Sequence, residues 1–283
     1  FGAPASPQPD LAEKLEVLRG RVGFAPGGPG DVVAWLPEQL ALERLLARLA
    51  GGEARLRPDL VGDVGQAGGS GGQYGRFVEL GAEFLKSSTR RRFATADEAI
   101  ASDQQAERLR SSLGIYHPAR AWFVSRGSDE AFWVCSLTPR LEVLRERFHS
   151  GQALAWQRYL EAIELCFKVG VESGLWLDCN PNNFGELAGG LYYLDDDLSF
   201  GSATTLALQA LLRLREHATA DLALREGFLR SFSELALAYA QHPPVRQALY
   251  RDLTNEVLWP REAELRSLVQ GLLLSLAGSG RLR

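Results

Sequence analysis

Short apolar runs bounded by turn residues fill the chain from Leu60 to Ser136, whereas long stretches of helical spacing fill it beyond Pro139. A fold that takes both must set a small, mainly β region beside a larger helical one. In the first region RFVEL (76–80) and EFLKSS (83–88) read as strands joined tightly by Gly81-Ala82. A helix is expected from Asp97 to Ser112, and the strands AWFVS (121–125) and AFWVCS (131–136) flank the turn RGSDE. In the second region Leu154, Leu160, Ile163, Phe167 and Val171 recur at helical spacing from Ala153 to Ser173, and Gly174 ends that helix. Further helices are expected over 203–240, 245–258 and 261–277, broken by Pro243-Pro244 and Pro260.

Residues 1–55 read as a helical N-terminal extension. A Pro- and Ala-rich arm precedes a short helix capped by Asp10, and a second helix carries Leu40, Leu42, Leu45, Leu46 and Leu49 after Pro37. The expected division is therefore an extension (1–55), a β lobe (56–138) and a helical lobe (139–283). The fold class is α+β, with a small antiparallel sheet and one helix in the first lobe.

The chain has 283 residues, a formal charge of −4 and 31 scattered Lys and Arg, a balance that argues against nucleic acid as the main partner. The longest apolar run, Leu268 to Leu276, is too short for a membrane span and contains Gln270 and Gly271. The first residues lack a basic and an apolar segment of the signal-peptide kind, so a cytoplasmic location is expected. Three cysteines, Cys135, Cys166 and Cys179, without a CxxC pair favour neither disulfides nor zinc. No nucleophile triad is visible, because His117, His149, His217 and His242 are isolated. Trp122, Trp133 and Trp156 read as core. Arg90-Arg91-Arg92 reads as a solvated turn, with contact to an anionic substrate as the alternative.

Two polar clusters carry the chemistry. Asp178-Cys179-Asn180-Pro181-Asn182-Asn183 places an Asp five residues before an Asn, with Pro between; the apolar LYYL (191–194) then runs into Asp195-Asp196-Asp197. LWL (175–177) and LYYL read as strands bracketing the loop. Taken alone, Asn-Pro-Asn-Asn is turn chemistry, and three Asp after a strand can cap the next helix. Two acidic or amide clusters at neighbouring strand ends, however, repel unless a cation lies between them.

The first cluster resembles the catalytic loop of the protein-kinase superfamily, D-x-x-P-x-N, and the apolar strand before Asp-x-Asp is similar to that of aminoglycoside-phosphotransferase relatives. The resemblance implies Asp178 as catalytic base and Asn183, Asp195 and Asp197 as magnesium ligands, with ATP as the nucleotide. It further implies Lys86 on the phosphates with Glu107 as its partner on the following helix. Gly69, Gly71 and Gly75 of GGSGGQYG would form the glycine-rich loop, and a hinge at Ser136 to Thr138 would meet the adenine edge. The sequence departs from the family at Trp176-Leu177, where His-Arg is usual, and leaves no room for a long activation loop. These features imply a small-molecule or atypical kinase, or a pseudokinase that binds nucleotide without transfer. A metal-dependent hydrolase using the Asp triplet is a further alternative that leaves Lys86 unexplained.

Overall fold

The computed structural model describes residues 31–36, 48, 54–56, 75–126, 131–149, 153–196, 202–217, 222–253 and 263–278. The expected helix at Asp10, the glycines Gly69 and Gly71, and Asp197 lie outside the described residues. The protein is α+β, with antiparallel sheets and helices, and it divides into two compact units, Phe1–Leu141 and Glu142–Arg283.

The first unit is built on a six-stranded sheet of β1 (Asp31–Leu36), β2 (Ala54–Leu56), β3 (Gly75–Leu80), β4 (Glu83–Phe93), β5 (Ala121–Arg126) and β6 (Phe132–Pro139). Its order is β1-β5-β6-β4-β3-β2, and every neighbouring pair is antiparallel. Between β3 and β4 the chain reverses over Gly81 and Ala82, and Gly81 supplies the positive φ, 57°, that so tight a turn demands. Thus β1 and β2 are strands of this sheet, not parts of a helical extension. The hydrogen-bonding partner of β1, strand β5, lies far along the chain, so DVVAWL carries no local sign of it.

Side chains alternate across a sheet, so register decides which residues share a face. Val78, Leu85, Leu137 and Ala121 stand in one cross-strand row, all buried, while Phe77, Lys86, Ser136 and Trp122 stand in a row on the opposite face. Helix α1 (Ala96–Leu113) packs its Ala99 against Val124 and Val134, which lie on the face of Trp122 and Ser136. Its start is fixed by a capping box: Thr95 Oγ1 accepts from Glu98 N (3.3 Å) and Glu98 Oε2 accepts from Thr95 N (3.2 Å). Gly114, at φ 62°, ends it.

A shift of register after Ser87 brings Arg91 onto this same face. There Asp103 of α1, fully buried, accepts from Arg110 (2.8 Å) and Arg91 (3.3 Å). Arg110 lies over the Trp122 ring at 4.5 Å, and Arg120 lies over both Trp122 and Tyr116. The solvated-turn reading of Arg90-Arg91-Arg92 is therefore corrected: the run belongs to β4, Arg91 points inward because Asp103 awaits it, and Arg92 lies out over the Trp133 ring.

The second unit contains β7 (Glu142–Val143), α2 (Leu144–His149), α3 (Ala153–Ser173), β8 (Phe184–Leu187), β9 (Gly190–Tyr193), α4 (Ala203–His217), α5 (Leu222–Tyr239), α6 (Pro243–Leu253) and α7 (Ala263–Gly278). Rings from α2, α3 and α5 form its aromatic centre: Phe148, Trp156, Tyr159, Phe228 and Phe232, with centroids 4.8–6.4 Å apart. Strands β7, β8 and β9 form a small antiparallel sheet. The partner of LYYL is therefore Phe184–Leu187. Leu175, Trp176 and Leu177 do not form the expected strand; they are apolar because an irregular segment is buried there. The expected helix 203–240 is two helices, α4 and α5. Among the described residues no helix is long and apolar enough to cross a membrane.

Candidate functional site

The segment that delivers Asp178 begins where α3 ends at Gly174 (φ 74°). Trp176 lies flat on Gly170 of α3, where a Cβ would stand 2.6 Å from its ring, and it meets the Phe167 ring edge-on. With Leu175 and Leu177 buried on either side, the backbone reaching Asp178 has little freedom.

From Asp178 to Asn183 the loop is held by its own polar side chains. Asp178 Oδ1 accepts from Asn180 N (3.0 Å), and Asn180 Oδ1 accepts from Asn182 N (3.1 Å), two successive Asx turns. Pro181 then opens a single 3-10 turn, Pro181–Asn183, closed by Asn183 N donating to Asn180 O (2.8 Å). The turn reading of Asn-Pro-Asn-Asn is thus correct for the backbone, and the turns fix where the side chains stand.

One bond closes this loop on itself and two tie it to the chain that runs from β9 into Asp195. Asn183 Nδ2 donates to Asp178 O (3.4 Å), Asp178 N donates to the Tyr193 hydroxyl (3.3 Å), and Leu194 N donates to Asn183 O (2.7 Å). Phe184 packs against the Tyr193 ring beneath them, at 5.1 Å. Asp178, Asn183 and Asp195, separated in sequence, are brought together. Burial holds the Asp178 carboxyl above its ordinary range; the Asn180 backbone hydrogen bond opposes that shift, the Asp195 charge adds to it, and Arg213 and Asn183 draw it back.

The hairpin is anchored by charge. Glu186 of β8, buried, pairs with Arg147 of α2 and Arg158 of α3, which also meet Glu142 and Glu161. Cys179 ties the loop inward: Tyr159 Oη lies 3.7 Å from its sulfur, and Leu206 O and Gln209 Oε1 of α4 each lie 3.6 Å away. Burial pushes the Cys179 thiol up to about 12, so it is a packing group and not a nucleophile.

Among the described residues, no group of three or more His, Cys, Asp or Glu is placed to hold a metal. The expected donors are of another kind: one amide, Asn183, and the carboxylates Asp195 and Asp197. Amide and carboxylate oxygens are the hard donors that magnesium takes, and a cation there would relieve the mutual repulsion of Asp178 and Asp195. Asn183 and Asp195 are of the donor type that suits such an ion.

In the first unit Lys86 is half-buried, and register sets it directly beside Ser136. Ser136 is flanked by β4 on one side and β5 on the other, and its hydroxyl accepts from Arg120 (3.0 Å), so its backbone is engaged in the sheet and not open to a base. β6 runs on to Pro139; Thr138 lies beyond the end of the pairing with β5 and is paired with Phe84 of β4. Glu98 is spent on the cap of α1. Glu107 lies in α1 four residues after Asp103 and three before Arg110, both buried; its side chain is outside the described residues. Gly75 opens β3.

Sequence reasoning missed Asp103, Arg110, Arg120 and Glu186. Each is a charged residue whose burial is explained by its partners: Asp103 and Arg110 pair with each other two turns apart on α1, Arg120 lies over Tyr116 and Trp122, and Glu186 meets two remote arginines. Comparison with family models, with curated proteins and with solved structures gave no match.

Proposed function

We propose that the chain is an ATP- and magnesium-dependent phosphotransferase of protein-kinase-like type, acting on a hydroxyl of a small molecule or atypical acceptor. The observation that carries this reading is the fastening of Asp178 and Asn183 to one another and, through Tyr193 and Leu194, to the chain that leads into Asp195. Turn chemistry alone needs neither a carboxylate kept from water nor a second carboxylate beside it.

In this reading Asp178 takes the proton of the attacking hydroxyl, and a carboxyl held above its ordinary range is a stronger base than an exposed aspartate. Asn183 and Asp195, with Asp197, hold magnesium, which when bound neutralises charge building on the phosphate oxygens. Lys86 clamps the phosphates, Glu107 orients it, and Gly69, Gly71 and Gly75 let backbone N–H groups approach them. Thr138 meets the adenine edge. The order in the first unit supports the reading: glycine-rich segment, lysine strand, helix, then two strands. Trp176 and Leu177, standing where the family has His-Arg, favour a second reading, a nucleotide-binding pseudokinase.

Thermal unfolding tests the first step. Magnesium-ATP at about a hundred times its Kd adds about 2.7 kcal/mol to the stability of the folded state, so the melting temperature rises. Lys86→Ala reduces that gain. No shift with either magnesium or manganese present would remove both nucleotide readings.

A further inference from the structure

Strand β8 has only four residues, and its middle two are Gly185 and Glu186, a weak choice for a buried strand. Each carboxylate oxygen of Glu186 nonetheless meets its own arginine. Oε2 lies 2.5 Å from Arg147 Nη1 of α2, and Oε1 lies 2.5 Å from Arg158 Nε of α3. Both arginines are held a second time. Arg147 donates to Glu142, which stands directly opposite Glu186 on β7, and Arg158 donates to Glu161 of its own helix.

Stability alone does not account for this charge. A carboxylate and two guanidinium groups lose hydration on burial, and apolar side chains of similar volume commonly hold a fold as well or better. What two arginines on two helices add is direction. The carboxylate meets both in one orientation only, which fixes β8 along its length against α2 and α3, whereas an apolar side chain would let it slip.

The position so fixed is passed to the open end of the hairpin. Asn183 precedes Glu186 by three residues, and β9 is registered on β8 from Leu187–Gly190 to Phe184–Tyr193. The next link is Leu194 N donating to Asn183 O (2.7 Å), one residue before Asp195. Helix α3, which carries Arg158, ends four residues or so before Asp178, so Glu186 ties the hairpin to the same helix that delivers the Asp178 loop.

We propose that Glu186 is a positioning residue: gripped by Arg147 and Arg158, it sets where the open end of the β8–β9 hairpin presents Asn183 and Asp195 to Asp178. Its effect on magnesium-ATP rests on the reading of Asn183 and Asp195 as metal ligands; its effect on the hairpin does not.

The test replaces the three charges together in the full chain, Glu186→Met with Arg147→Met and Arg158→Met, so that no buried charge is left without its partner. Amide hydrogen exchange reads position with no ligand present. The Leu194 and Asn183 amides exchange at least about tenfold faster than in the parent, while Ile163 in the middle of α3 keeps its protection. Calorimetric titration then gives a magnesium-ATP Kd roughly 10- to 100-fold higher. If the triple variant does not fold, Glu186→Gln carries the same readouts, with Ile163 as the internal reference.

Parent-like exchange at Leu194 and Asn183 overturns the proposal. An equal rise at Ile163 marks a general loss of stability and overturns it too, as does an unchanged Kd beside faster exchange at the hairpin. A parent chain that binds no magnesium-ATP removes the phosphotransferase reading, while selective exchange at Leu194 still supports the positioning, so the two failures are distinguishable.

Discussion

Both units bury charge, and they handle it in opposite ways. In the first, the Asp103 carboxylate is enclosed between Arg110 and Arg91, with Arg110 stacked on Trp122, so each buried charge has an opposite charge or a ring against it. In the second, Asp178 is set near Asp195, a like charge, and burial holds its carboxyl above the ordinary range. The first arrangement spends electrostatics on holding a helix to a sheet. The second stores unfavourable electrostatics in a loop whose backbone is otherwise well satisfied, an imbalance that the proposed function accounts for with a cation. Glu186 shows that the second unit also builds the first kind: its two arginines brace the hairpin that carries the loop.

Removing Asp103 should break the comparison most visibly. Asp103→Ala leaves Arg91 and Arg110 buried without their carboxylate, and a loss of about 3–5 kcal/mol is expected in urea unfolding. A loss typical of an exposed ion pair, below about 1 kcal/mol, would mean that the cluster is not a brace.

A smaller effect belongs to the hairpin next to the site. Ala188 and Gly189 form its two-residue turn, both at positive φ (51° and 82°), and Ala188 bears a Cβ in a conformation that disfavours one. Ala188→Gly should stabilise the protein by about 1 kcal/mol, seen as a higher unfolding midpoint. A loss of stability would contradict the turn geometry.

The smallest expected effect sharpens the contrast by pH. The Asp178 carboxyl has a raised pKa in the folded state, so the folded chain holds that proton when the unfolded chain has already released it. Stability from this group is unaffected in acid, falls as pH rises through the ordinary carboxylate range, and reaches its full penalty above the raised value. Asp178→Asn removes the penalty. Its melting temperature should match the parent in acid and exceed it at neutral pH, without ligand. A variant less stable at neutral pH would show that the carboxylate is a structural group like Asp103.

Local signals made much of the fold legible. Gly81-Ala82 fixed the β3–β4 turn, and Gly174 marks where α3 ends. Asp178, Asn183 and Asp195 were legible as a pattern, because the loop and the hairpin that bring them together are contiguous in the chain. What local signals could not supply were long-range pairings. DVVAWL becomes an edge strand only through β5, and Arg91 turns inward only for Asp103. LWL shows the converse: a short apolar run says that a segment is buried, not that it is a strand.

The central claim is that Asp195 serves a metal and nucleotide while Asp178 serves chemistry. Calorimetric titration of magnesium-ATP into the parent, Asp195→Asn and Asp178→Asn chains, with phosphoryl transfer assayed on the same samples, tests it directly. The account predicts that the parent binds, that Asp195→Asn binds at least about tenfold more weakly, a difference of ~1.4 kcal/mol, and that Asp178→Asn binds as the parent does but transfers nothing. Equal binding and equal activity in all three chains, or no binding by the parent at millimolar nucleotide, would contradict it.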